Sequence, residues 1–190
     1  MRYLIYLPIE ENLKSKIEEY QKNLGTSLLK LPSAGLHCTV RVASLKEIYE
    51  KEITETLAKI SQEPFTLRCD NLALFDEESL VIKLENNQII KQFHRTLTHL
   101  LRPFVDFEKT SLLPEQYKGD QARETLFKAF GSPYVLQFYN PHITIGTVKK
   151  DFSLSSIDKN NFHHIPFSVD SFIFSKKEES IWKKIEEYDL

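Results

Sequence analysis

Cysteine is scarce in this 190-residue chain: only Cys38 and Cys69 occur, each inside an apolar, strand-like run. Neither spacing suits a metal site, and two cysteines exclude a disulfide-rich scaffold. Two free, buried thiols in a reducing cytoplasm are therefore expected. Excess positive charge is also missing, since 25 Lys and Arg stand against 27 Asp and Glu for a net −2. No bulk field exists to wrap nucleic acid, so an anionic substrate has to be met by a local site. The doublets Lys149-Lys150, Lys176-Lys177 and Lys183-Lys184 read as solvated surface. Long apolar runs are absent as well, which argues against a membrane span. The opening MRYLIYLPIEEN turns acidic too soon for a signal peptide, so a cytoplasmic location without membrane contact is expected.

What is present is an ordinary globular composition, 41% hydrophobic, with 13 Phe and 8 Tyr. That suffices for one domain over residues 1–190, or one built from two related lobes. Alternation predicts strands at 2–8 and 36–42, and a hairpin from 64–75 and 79–85 across the acidic turn Asp76-Glu77-Glu78. Helical periodicity predicts a helix from Glu10 to Leu24, closed by Gly25, with Leu13, Ile17, Tyr20 and Leu24 on one face. A second covers 45–60, burying Leu45, Ile48, Tyr49, Ile53, Leu57 and Ile60. A third covers 87–101, burying Ile89, Ile90, Phe93, Leu97, Leu100 and Leu101.

The second half repeats the first. VIKLE followed by a helix mirrors LIYLP followed by a helix, PHITI mirrors LHCTV, and the PF start of 166–186 mirrors that of 64–85. A duplicated, pseudo-twofold α+β fold follows, with His37 and His142 at related positions on different lobes. The halves differ in the segment before the motif strand. It is a short loop in the first half, and residues 102–140 in the second. That insertion holds a predicted helix from Gln121 to Phe130, N-capped by Asp120 and stopped by Gly131 and Pro133.

His-x-Thr occurs three times, where six His and eleven Thr would give about a third of one match by chance. His94-Arg95-Thr96 falls in a helix, where residues two apart diverge, and reads as a chance spelling. His37-Cys38-Thr39 and His142-Ile143-Thr144 fall on strands, so each His and Thr share one face while Cys38, Val40, Ile143 and Ile145 line the other. Arg41 continues the His37 and Thr39 parity and is expected in the same cleft as a phosphate ligand, with Gly146 leaving room at the matching place. Tyr6 and Lys83, at repeat-equivalent positions, are candidate substrate contacts, though a solvent-facing position explains them equally well. A zinc site is disfavoured because no third ligand shares the parity of His37 and His142. His163-His164 reads as a solvated loop pair. His94 and His99 do not share a helix face.

Leu36-His37-Cys38-Thr39-Val40 and Pro141-His142-Ile143-Thr144-Ile145 resemble the paired motifs of the 2H phosphoesterase superfamily, the relatives of 2′,5′ RNA ligase and cyclic phosphodiesterases. The resemblance spans essentially the whole chain. It implies a bilobal fold with two antiparallel sheets flanking a central cleft, helices outside, and chemistry on phosphodiesters with no metal and no cofactor. In such a cleft two imidazoles can act as base and acid, and the Thr39 and Thr144 hydroxyls can hold phosphoryl oxygens. The expected activity is hydrolysis of 2′,3′-cyclic phosphates on nucleotide or RNA termini by a monomer. Cleavage of 2′,5′-linked oligonucleotides or cyclic dinucleotides, and RNA 2′,5′ ligation, stay open as alternatives. From another class, so does an RNA-end-binding module without turnover. Which histidine is the base is not legible.

Overall fold

A computed structural model describes residues 1–110 and 112–190 of the chain. In chain order the elements are β1 (Arg2–Pro8), α1 (Glu11–Leu24), β2 (Leu28–Lys30), β3 (His37–Ser44), α2 (Glu50–Leu57), β4 (Phe65–Phe75) and β5 (Ser79–Leu84). There follow α3 (Gln88–Leu101), α4 (Gln121–Phe130), β6 (His142–Val148), β7 (Pro166–Val169), β8 (Ser171–Glu178) and β9 (Ile181–Asp189). No described helix is long and apolar enough to cross a membrane.

Among the described residues the strands form a single nine-stranded sheet, ordered β7-β4-β5-β6-β3-β1-β8-β9, with β2 added on β6. This corrects the expectation of two separate sheets. The sheet-level symmetry is nonetheless plain, because β6-β5-β4-β7 runs outward from one side of the seam as β3-β1-β8-β9 does from the other. The two motif strands themselves form the seam, through one registered pair, Cys38 opposite Ile143. Cys38, Val40, Ile143 and Ile145 enter a shared core with Leu13 and Ile17 of α1, Ile53 and Leu57 of α2, and Phe93 and Leu97 of α3. Each such side chain contributes about 1.5–3 kcal/mol on burial. The core therefore fastens one face of the seam and leaves the other free for polar groups.

Two helices differ from their predicted form. The 45–60 stretch is helical only as a 3₁₀ turn at Glu47–Tyr49 and then α2. Its start is pre-empted, because Leu45 N–H bonds Met1 O and Lys46 N–H bonds Phe104 O. Ile48 is consequently 82% exposed. On α3 the buried stripe is rotated: Ile89 and Leu100 are exposed while His94 and Thr98 are buried with Ile90, Phe93, Leu97 and Leu101. Asn87 caps this helix, its side chain accepting from Ile89 and Ile90 N–H at 2.8 and 3.3 Å. In the insertion, α4 starts where Asp120 accepts the Arg123 N–H at 3.1 Å. It stops where Gly131 takes φ +69°, a left-handed cap suited to glycine.

Candidate active site

The motif strands carry the same irregularity. Against β1, Ile5 faces Arg41 and Tyr6 faces Thr39, so Val40 is an extra residue in β3. Against β5, Leu80 faces Gly146 and Val81 faces Thr144, so Ile145 is the extra residue in β6. These are β-bulges at equivalent places, and a bulge reverses the inside–outside alternation after it. His37, Thr39, His142 and Thr144 lie before the bulges and are half-buried on the face away from the core. Continuing the Cys38–Ile143 register by one residue each way faces Thr39 to His142 and His37 to Thr144. Opposed residues of an antiparallel pair point to the same side, and their diagonal neighbours sit about 7–8 Å apart. The two histidines form such a diagonal, so both rings rise from neighbouring places on one face of the sheet.

Each imidazole is anchored in the same manner. His37 Nδ1–H donates to Gly35 O at 2.8 Å, and His142 Nδ1–H to Asn140 O at 2.7 Å. Donation through Nδ1 leaves Nε2 as the free basic nitrogen on both rings. The Thr39 hydroxyl donates to His37 Nε2 at 3.0 Å. Aromatic rings back both histidines: Tyr6 lies 4.9 Å from His37 and Phe75 4.7 Å from His142, centroid to centroid. Burial lowers the pKa of both rings, partly opposed by the Gly35 and Asn140 carbonyls, and the His142 charge further lowers that of His37.

Beside them opens a cavity of about 350 Å³, whose wall includes Thr39, Arg41, His142 and Thr144 together with Phe75, Tyr134, Phe138 and Tyr139. The last three belong to the insertion. None of these four aromatics carries a motif, so only their closeness in the fold reveals them. His94 is also in that wall, although its His-x-Thr spelling is helical and Thr96 is not among the buried residues of α3.

The remaining predicted residues fall in three settings. Arg41 reaches the cavity wall, but the bulge breaks the simple alternation that was to bring it there. It is 3% exposed, and its guanidinium donates to Val42 O and Phe130 O, each at 2.6 Å, leaving Nε unpartnered. Among the described residues no carboxylate balances it, and burial lowers its pKa to about 10. Gly146 does leave room, but the backbone of β2 takes it: a Cβ there would stand 2.5 Å from Lys30 O. Tyr6 and Lys83 are not equivalent. Lys83 faces His142 in the register, as Pro8 faces His37, while Tyr6 faces Thr39 as Val81 faces Thr144. The repeat is offset by two residues, a slip that preserves parity and so escapes pattern reading.

Both thiols are fully buried and unpaired, and burial pushes each up to about 12, so neither is a ready nucleophile. Among the described residues no three His, Cys, Asp or Glu side chains converge as a metal site would need. His163 and His164 lie outside the cavity, paired with Asp70 at 3.3 Å and Glu85 at 2.5 Å.

No family model and no curated protein matches the chain. Solved structures do. E. coli LigT complexed with 3′-AMP superposes with a TM-score of 0.66 at 13% identity, over 100% of this chain and 96% of that one. TT0787 of Thermus thermophilus gives 0.69 at 16% identity, over 100% and 98%. A crystal structure described as a phosphoesterase gives 0.68 at 12%, over 100% and 97%. The chain thus shares, over its full length, the α+β fold of these proteins: an antiparallel sheet with helices at its periphery.

Proposed function

We propose that this protein is a phosphodiesterase of the 2H type acting on nucleotide or RNA termini, and that it opens 2′,3′-cyclic phosphates without a metal ion. The observation that carries the reading is the matched pair of imidazoles, each tied through Nδ1–H to the carbonyl two residues earlier, with both Nε2 atoms on one face. Hydrolysis needs a base for water and an acid for the departing ribose oxygen. One Nε2 takes a proton as water oxygen bonds phosphorus. The other, protonated, gives its proton to the ribose oxygen as the P–O bond breaks, leaving a nucleoside monophosphate. The Thr39 and Thr144 hydroxyls donate to the non-bridging oxygens. For Thr39 this means exchanging its bond to His37 Nε2 for one to phosphate, so substrate arrival frees the very nitrogen that has to act. Arg41, buried without a counter-ion, adds positive potential to the cavity and draws the phosphate towards it.

Fold-level likeness supports a nucleotide substrate, because LigT has been crystallised with 3′-AMP, NADP+ and ATP. The test is a screen of purified protein, with and without EDTA, against nucleoside 2′,3′-cyclic phosphates, 2′,5′-oligoadenylate and cyclic dinucleotides. Turnover of the 2′,3′-cyclic substrates undiminished by EDTA is expected. Activity confined to the other substrates would reassign the substrate class, and a strict divalent-ion requirement would overturn the metal-free scheme.

A further inference from the structure

The insertion has its own small apolar cluster, Leu126, Phe130 and Val135, separate from the main core. Elsewhere in the insertion Val105 enters the main core and Tyr139 packs against it, and the third histidine of the His-x-Thr series stands where Tyr139 meets the motif face. His94 is 2% exposed. Its Nδ1–H donates to Val40 O, the bulge residue of β3, at 2.7 Å. Its Nε2 accepts the Leu136 N–H at 3.0 Å and the Thr98 hydroxyl at 3.3 Å. Its ring lies flat on Tyr139, with centroids 3.8 Å apart and planes 1° from parallel. Tyr139 in turn donates its hydroxyl to Thr39 O at 3.0 Å.

Only a neutral imidazole with its proton on Nδ1 can make this set of bonds. Burial holds it so, lowering its pKa to about 4 with help from the Arg41 charge. The backbone it receives is not one a free chain would choose, since Leu136 sits at φ +56°, a left-handed conformation uncommon for leucine. The neighbouring residues Tyr134, Phe138 and Tyr139 are the aromatic part of the insertion's share of the cavity wall.

We propose that His94 is a positioning residue that locks segment 134–139 over the motif face, and so sets the fit of the substrate's nucleoside rather than the rate of proton transfer. The kinetic part of this proposal rests on the phosphodiesterase reading above. The locking itself does not.

The experiment compares H94Q, H94F and H94N. Gln can place an acceptor near the position of Nε2. Phe keeps a ring on Tyr139 but has no acceptor, and Asn is too short to reach Leu136. Amide hydrogen exchange is read over 134–139. Steady-state kinetics are read on a nucleoside 2′,3′-cyclic phosphate and on base-free ribose 2′,3′-cyclic phosphate. In H94Q, exchange close to wild type is expected. In H94F and H94N, exchange about tenfold faster or more is expected, together with a KM for the nucleoside substrate raised about tenfold, an almost unchanged kcat, and a base-free substrate that does not notice. The opposite order, with H94F near wild type and H94Q impaired, would reduce His94 to ring packing and overturn the proposal. An equal rise in KM for both substrates would overturn its nucleoside part. If H94F does not fold, the contrast of H94Q with H94N decides. If wild-type protein turns over neither substrate, the functional reading falls while the exchange order still judges the lock.

Discussion

β3 and β6 are built alike as far as the bulge and differ just past it. Both present His and Thr on the open face, anchor the imidazole on the carbonyl two residues back, and insert one extra residue at the matching place. After the bulge, β3 has Arg41, which binds the end of the insertion helix through Phe130 O. At the same point β6 has Gly146, over which the β2 backbone passes. On the proposed chemistry, what is needed twice is duplicated and what surrounds it is not: the site would be symmetric where protons are exchanged and one-sided where a substrate is recognised.

The comparison is tested most severely at the histidines. H37A and H142A should each lower kcat by about 10²–10⁴, with the double variant little worse than either single one, because they act on one event. Losses differing by far more than tenfold would mean that the two strands do not share the task. The pH profile of kcat/KM should be a bell lying below the usual imidazole value of about 6.5, since burial lowers both pKa values. Below both, the base is lost to protonation, and above both, the acid is lost. A profile centred well above that value would contradict the buried setting.

A smaller effect separates the half that bears the insertion. Burial lowers the His94 pKa to about 4 in the folded chain, against near 6.5 in an unfolded one. The unfolded state therefore takes up the proton first as pH falls. Stability is complete above about 6.5, declines towards pH 4, and is then flat in this group, a change on the order of 3 kcal/mol. Urea unfolding from pH 7 to 4 should show a steeper decline in wild type than in H94Q, which keeps only the share of the buried His37 and His142.

Smallest is the glycine on the other strand. In G146A the new methyl meets the Lys30 carbonyl and the Leu28 side chain, and a backbone carbonyl cannot simply rotate away. A loss of about 1–3 kcal/mol is expected, measured by urea midpoint. An unchanged midpoint would show that β2 is free to lift.

Much of this site is legible because strand alternation and two motif copies are written locally. The helix at 121–130 is equally legible, since Asp120 and Gly131 mark its ends. Three things are hidden. The bulge at Val40 carries no glycine or proline to announce it, and the Gly146 beside the bulge at Ile145 reads only as room, so the alternation that places Arg41 does not continue. The two-residue offset between β1 and β5 keeps every side chain on its face, so Tyr6 and Lys83 align plausibly but wrongly. Phe75 and His94 join the cavity only through contacts remote in sequence, and Tyr139, though three residues before His142, is placed there by His94 and Thr39. His94 carries one faint signal, its place on the α3 stripe with Ile90, Phe93, Leu97 and Leu101. A polar residue is ordinarily read as outward-facing, and that habit conceals the signal.

The order of strands also dictates how the molecule can be assembled. The half-sheet holding His142 draws β4, β5, β6 and β7 from one continuous span. The half holding His37 needs β8 and β9 to close on β1, joining residues near 5 with residues near 174. Loop closure of that reach is slow. A chain severed after β7 would therefore keep one imidazole on a finished wall, and would leave the other on a two-stranded remnant with a bare edge.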